Sequence, residues 1–167
     1  MMFHKILVAI DLNAHSDRVF DYGLHLAKND GAALMVLNTV EMPLEDDLMP
    51  MSGAGLGADL VLTEEFQQTY HKNLQNEVKR VRAKLQHYVD RGQEMGVPVE
   101  FDARVGDPGR RICQVAKMWD ADLVLVGRRG RRGLRELLLG SVSNYVLHRS
   151  PCSVMVVQGA DREEIEN

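Results

Sequence analysis

Leu123 to Val126 is an uncharged run of leucine and valine that ends against glycine at Gly127. A run of this kind, bounded by glycine, reads as a parallel strand buried on both faces. The chain then spells G-x2-G-x9-G-S, with Gly127, Gly130, Gly140 and Ser141 at the fixed positions. Beyond it, Val142, Tyr145 and Val146 are spaced like one face of a short helix. A glycine turn that leaves a parallel strand and returns at a helix start is where α/β proteins hold phosphates. Glycine admits an anion close to the backbone, and the N–H groups of the helix start point at it. Ser141 adds a hydroxyl that serves either as helix cap or as a bond to a phosphate oxygen. Arg128, Arg129, Arg131 and Arg132 bring positive charge to the same loop. The competing reading is a solvated surface loop with arginines for solubility; the strand before and the helix after favour the phosphate.

The rest of the chain alternates in the same way. Phe3 to Ile10 reads as a first strand, closed by Asp11. Val19, Phe20, Leu24 and Ala27 form a helical stripe, with Asn13 or Ser16 available as its cap. Ala32 to Val40 is a second strand. Leu74, Val78, Val81, Leu85 and Val89 mark a long amphipathic helix from Glu64 to Gly92, which Gly96 ends. Val97 to Val105 is a third strand, and Pro108 opens a helix carrying Ile112, Val115, Ala116 and Trp119. Cys152 to Val157 is the fifth strand. Such alternation predicts an α/β fold, a Rossmann-like doubly wound parallel sheet with right-handed crossovers. Ligands of these sheets bind beyond the carboxyl ends of the strands, where the strand order reverses. If strands one and four flank that reversal, Asp11, Val40 and Gly127 share one crevice. That crevice suits a nucleotide, with its phosphates on the glycine loop and its base and sugar toward Asp11 and Val40.

Length and charge exclude several alternatives. The 167 residues fit one domain, expected over 1–158, followed by an acidic tail over 159–167 that is expected to stay mobile. The formal net charge of −4 argues against a broad nucleic-acid or membrane-binding surface. Ile6 to Ile10 is too short an apolar run for a signal peptide core or a membrane span. Cys113 and Cys152 are not in a C-x-x-C pair, and the six histidines are scattered, so a cytosolic protein without structural zinc is expected. Residues 41–63 break the pattern with Pro43, Pro50, Gly53, Gly55, Gly57 and three acids at 45–47. Its G-x-G-x-G lacks the strand before and the helix after that a dinucleotide site needs. A mobile insertion is the preferred reading and a lid over the ligand the alternative.

KILVAID at the start, the glycine motif, and GSVSNYVLHRSPCSVMVV at the end together resemble the universal stress protein family, in its ATP-binding branch. The resemblance covers nearly the whole chain apart from 41–63. It implies a five-stranded parallel sheet in the order 3-2-1-4-5 with helices on both faces, and ATP with magnesium as ligand. By the same resemblance Asp11 and Val40 contact the adenosine. Gly127 and Gly130 approach ribose and phosphate, with Arg128 and Arg129 between them. Gly140, Ser141, Val142 and Ser143 then supply N–H and hydroxyl donors to the phosphates. The loop from Arg128 to Arg132 is more basic than is usual in the family.

Chemistry beyond binding finds little support in the sequence. No Walker lysine follows the glycines, and Ser141 has no histidine beside it in the chain. Asp11 could assist a water or magnesium, although a carboxylate there more commonly bonds a base or the backbone. His15 and His148 are remote candidates for a general base, and Cys152 is expected to pack as a small apolar residue. A non-enzymatic adenine-nucleotide sensor for stress, changing an unidentified regulatory partner with nucleotide state, is therefore expected. A slow ATPase or phosphotransferase is the alternative, and a chaperone-like protein with a vestigial site is the weakest reading. Finally, Val154 to Val157 has neither charge nor proline, and in the order 3-2-1-4-5 it lies at a sheet edge. A homodimer through Cys152 to Val157 is expected, in agreement with the dimer typical of the family it resembles.

Overall fold

In a computed structural model that describes residues 2–13, 15–41, 64–128 and 139–158, strand and helix alternate throughout. They are β1 (Lys5–Ala9), α1 (Ser16–Asp30), β2 (Ala33–Val40), α2 (Glu64–Glu94) and β3 (Val99–Val105). These are followed by α3 (Pro108–Trp119), β4 (Leu123–Gly127), α4 (Ser141–Arg149) and β5 (Ser153–Val157). The five strands form one sheet, all parallel, in the order β3-β2-β1-β4-β5. The fold class read from the sequence is the one observed. Residues 42–63, Arg129, Gly130 and the acidic tail lie outside the described residues.

The order follows from the handedness of the crossovers. The chain steps outward from β1 to β2 to β3, then returns past β1 to add β4 and β5. A right-handed crossover that reverses its direction must place its helix on the opposite face. Accordingly Val19, Phe20 and Leu24 of α1 and Val81 and Leu85 of α2 pack with Ile6, Val8, Leu34 and Val36. Ile112 and Val115 of α3 and Val146 of α4 pack with Leu7, Leu37, Val124 and Val126. Alternate residues of each central strand enter opposite layers, so both faces must be apolar. This is why the strands read as continuous hydrophobic runs.

Two local features hold the layers tightly. Gly23 brings α1 so near β1 that a Cβ there would lie 2.4 Å from a Val8 methyl carbon. On α2 the buried residue beyond Leu85 is Tyr88 rather than the expected Val89, which is only half-buried. The Tyr88 ring stands 4.7 Å from the Phe20 ring, and the Arg91 guanidinium lies 4.9 Å from the centre of that same Phe20 ring. Arg91 also pairs with Asp17 and Asp21, locking α2 to α1 through one aromatic and ionic cluster. Burial, and then the Asp17 carboxylate, raise the Tyr88 hydroxyl pKa well above the usual tyrosine value.

Candidate functional site

The strand order reverses between β1 and β4, which pair in register from Ile6 with Leu123 to Ala9 with Val126. The chain leaves both strands at the same edge, so Asp11 and the Gly127–Arg128 pair emerge side by side from adjacent strands. Val40 ends β2, the neighbour of β1 on the other side, and its carbonyl accepts the Gly106 N–H at 3.0 Å. The expected site residues that are described thus gather along one edge; Arg129 and Gly130 lie outside the described residues.

Asp11 organises the turn after β1. Its Oδ1 accepts from the Asn13 N–H at 3.3 Å and from the Ser16 hydroxyl at 3.1 Å, and its Oδ2 accepts from Asn13 Nδ2 at 2.8 Å. Asn13 Oδ1 in turn accepts the His15 N–H at 2.8 Å. Neither Asn13 nor Ser16 is the cap expected from the sequence. The N-cap residue of α1 is His15, without a side-chain cap bond, and Ser16 is already its first helical residue. The carboxylate of Asp11 has drawn both polar side chains into an Asx-type turn, passing through Leu12 at φ 59°.

The second connection is built around one carbonyl. Arg128 donates its N–H to the Val157 carbonyl at 2.8 Å, continuing the pairing of β4 with β5. The Arg128 carbonyl accepts the Gly140 N–H at 2.9 Å and the Ser143 hydroxyl at 3.1 Å, and that hydroxyl also lies 3.0 Å from the Gly140 carbonyl. Ser143 is buried, so its side chain serves the loop stem; Ser141 is exposed and Val142 packs against the second core layer. Gly140 is the N-cap of α4 and offers no side-chain bond, and the first turn carries no acid. Asn144 makes the first intrahelical bond, to the Gly140 carbonyl at 2.9 Å. The N–H groups of Ser141, Val142 and Ser143 therefore have no partner within the helix. They form a positive helix end beside the Gly127–Arg128 exit of β4.

The other sequence candidates fall elsewhere. His148 lies in the last turn of α4, about 10 Å along the helix from Ser141. Both thiols are free and half-buried, and burial pushes both of them up in pKa. Cys152 packs against the second core layer. Among the described residues no group of three or more metal-ligating side chains occurs, and no helix is long and apolar enough to cross a membrane.

Residues 2–158 match the model of the universal stress protein family. The chain belongs to that family. A curated relative, universal stress protein Sll1388 of Synechocystis sp., is 40% identical over 95% of this chain and 99% of its own length. YxiE of Bacillus subtilis, also a universal stress protein, is 34% identical over 94% of this chain and the whole of its own. Among solved structures, MJ0577 superposes with a TM-score of 0.76 at 19% identity, covering 96% of this chain and 99% of that one. A universal stress protein in complex with cAMP has a TM-score of 0.65 at 21% identity, covering 96% of this chain and the whole of that one. The Archaeoglobus fulgidus protein in complex with dAMP has a TM-score of 0.58 at 18% identity, covering 93% and 98%. At these identities the superpositions establish a shared fold.

Proposed function

We propose that this family member binds an adenine nucleotide, ATP above all, and acts as a nucleotide-dependent sensor in a stress response. The observation that carries the reading is the start of α4, whose Gly140 cap has no side chain and whose first turn holds no acid, set beside the exit of β4 at the strand-order reversal. A helix start without an anion of its own is suited to a phosphate. The intact G-x2-G-x9-G-S motif and the two neighbours in complex with cAMP and dAMP support the same assignment. In this proposal the N–H groups of Ser141 to Ser143 face the phosphates, with Gly127, Arg128, Arg129 and Gly130 around the ribose and phosphates. Asp11 and Val40 border the adenosine, and magnesium arrives on the phosphates rather than in a protein cage. Titration calorimetry is expected to show ATP binding at least tenfold tighter than GTP; equal affinities for the two would overturn the adenine assignment.

Slow hydrolysis at the same site is the second reading, favoured only by the Asp11 carboxylate at its border. Asp11 is already engaged by Asn13 and Ser16, an arrangement suited to shaping a turn. A magnesium-dependent turnover near 1 per second, low for an enzyme, that Asp11→Asn abolishes would establish the enzymatic reading. The free thiols suit a reducing, cytosolic setting, which is part of the same proposal.

A homodimer through β5 completes the proposal. The two sheet edges differ: β3 carries Glu100, Asp102 and Arg104, whereas β5 has no charge. A shallow groove lined by Arg18, Tyr22, Met155 and Val157 flanks β5. An uncharged edge is normally covered, and a second copy of the same strand would cover it. Light scattering at micromolar concentration is expected to give twice the 18.8 kDa chain mass; a monomer mass would exclude this arrangement.

A further inference from the structure

Asn38 is a polar residue in the apolar run of β2, and it is 1% exposed. It sits between Leu37 and Thr39 with Ala103 of β3 opposite it, where an apolar side chain would bury without any polar cost. Its amide nitrogen donates to the Ile10 carbonyl at 2.8 Å. That carbonyl has a particular place in the sheet. The β1–β2 ladder runs up to the bond from the Ile10 N–H to the Leu37 carbonyl at 2.9 Å. In a regular parallel ladder the next rung would join the Ile10 carbonyl to a backbone N–H of β2. Here the carbonyl is held by a side chain, and immediately afterwards the backbone departs from extended geometry at Leu12. The next residue after Ile10 is Asp11, whose carboxylate gathers Asn13 and Ser16.

We propose that Asn38 is the positioning residue of the candidate nucleotide site: by holding the Ile10 carbonyl it fixes where β1 ends and where the Asp11 turn stands. The site-level consequence rests on the nucleotide reading above; the anchoring itself does not. Asn38 acts through Asp11 without touching the ligand, which explains a buried amide in a strand that stability alone would fill with valine or leucine.

The test uses the full-length protein with Asn38→Leu, an apolar near-isostere without a donor, and Asn38→Ala in case leucine disturbs packing. The first readout needs no ligand. Amide hydrogen exchange followed by NMR is expected to quicken at least tenfold at Asn13 and His15 in both variants relative to their change at Leu7 and Val124 in the sheet centre. Unchanged relative protection at Asn13 and His15 overturns the anchoring. The second readout is ATP calorimetry in a double-mutant cycle with Asp11→Ala. Asn38→Leu is expected to lose at least tenfold in affinity in the wild-type background and less than twofold in the Asp11→Ala background. Equal losses in both backgrounds, or none in the first, overturn the site-level role. Should the wild-type protein fail to bind ATP, it is the nucleotide reading that fails, and hydrogen exchange alone decides the anchor.

Discussion

Helices α3 and α4 lie against each other on one face of the sheet, and both begin at its carboxyl edge, yet they begin in opposite ways. At α3 the chain supplies its own anion: Asp107 is the N-cap, its carboxylate accepts the Arg110 N–H at 2.8 Å, and Pro108 fills the first helical position. At α4 the cap is Gly140, without a side chain, and the first turn has no acid. Among the described residues, one helix start is thus closed by its own anion and the other is not. Both ends could have been capped with equal ease, because Gly140 has φ −59° and ψ 156°, a conformation open to any residue. Backbone conformation therefore does not require the glycine at α4; the proposed phosphate site would.

Closing the open end gives the largest expected effect. Gly140→Asp should cap α4 as Asp107 caps α3, holding or raising the melting temperature while placing a carboxylate where the phosphates are proposed to sit. We expect ATP affinity to fall by about a hundredfold or more, roughly 2.7 kcal/mol. Calorimetry beside a thermal melt checks both halves, and wild-type affinity in this variant would dissolve the distinction between the two helices.

Ser143→Ala comes next. It removes a buried hydroxyl from the loop stem, although the Arg128 carbonyl keeps the Gly140 N–H and the Gly140 carbonyl keeps the Asn144 N–H. With no acceptor stranded, the expected cost is about 1–1.5 kcal/mol of stability, measured by urea unfolding. A loss of several-fold in ATP affinity should accompany it, because the stem adjoins the open helix end.

The smallest effect on binding should come from Asp107→Ala. It costs about 1 kcal/mol of stability for the lost cap, with ATP affinity held within twofold. A larger loss of affinity here than in Ser143→Ala would show that the closed end contributes to the ligand site.

The contrast between these helices was partly legible in the sequence. Pro108 and the run from Ile112 to Trp119 located α3, and the glycine motif located α4. The strands were legible because burial on both faces leaves unbroken apolar runs, and only end residues of the expected runs (Phe3, His4, Ile10, Ala32, Val97, Pro98 and Cys152) proved to lie outside the strands. The roles of individual polar side chains were not legible. Asn13 and Ser16 looked like caps because their residue types favour that role, but the Asp11 carboxylate, two and five residues away, competes for them. Asn38 gave no signal, since one amide in a hydrophobic strand acquires meaning only when the facing carbonyl is known. Tyr145 was read on one helical face with Val142 and Val146, and it is exposed where Val146 is buried. Its ring covers Gly109 instead, where a Cβ would come within 2.7 Å of it. That contact joins two helices 36 positions apart, which no local pattern encodes.

The bond pair on the Arg128 carbonyl has a consequence for how this region can vary. Arg128, just past the end of β4, and Gly140, at the cap of α4, are fastened directly to each other. The seating of α4 against the sheet is thereby set at these two posts by their own bond. The entropy of closing a chain segment grows slowly, by about 0.6 kcal/mol for each doubling of its length. A joint pinned at both posts is therefore expected to tolerate changes of length or charge in the sequence between them, as a hinge pin holds whatever door is hung on it.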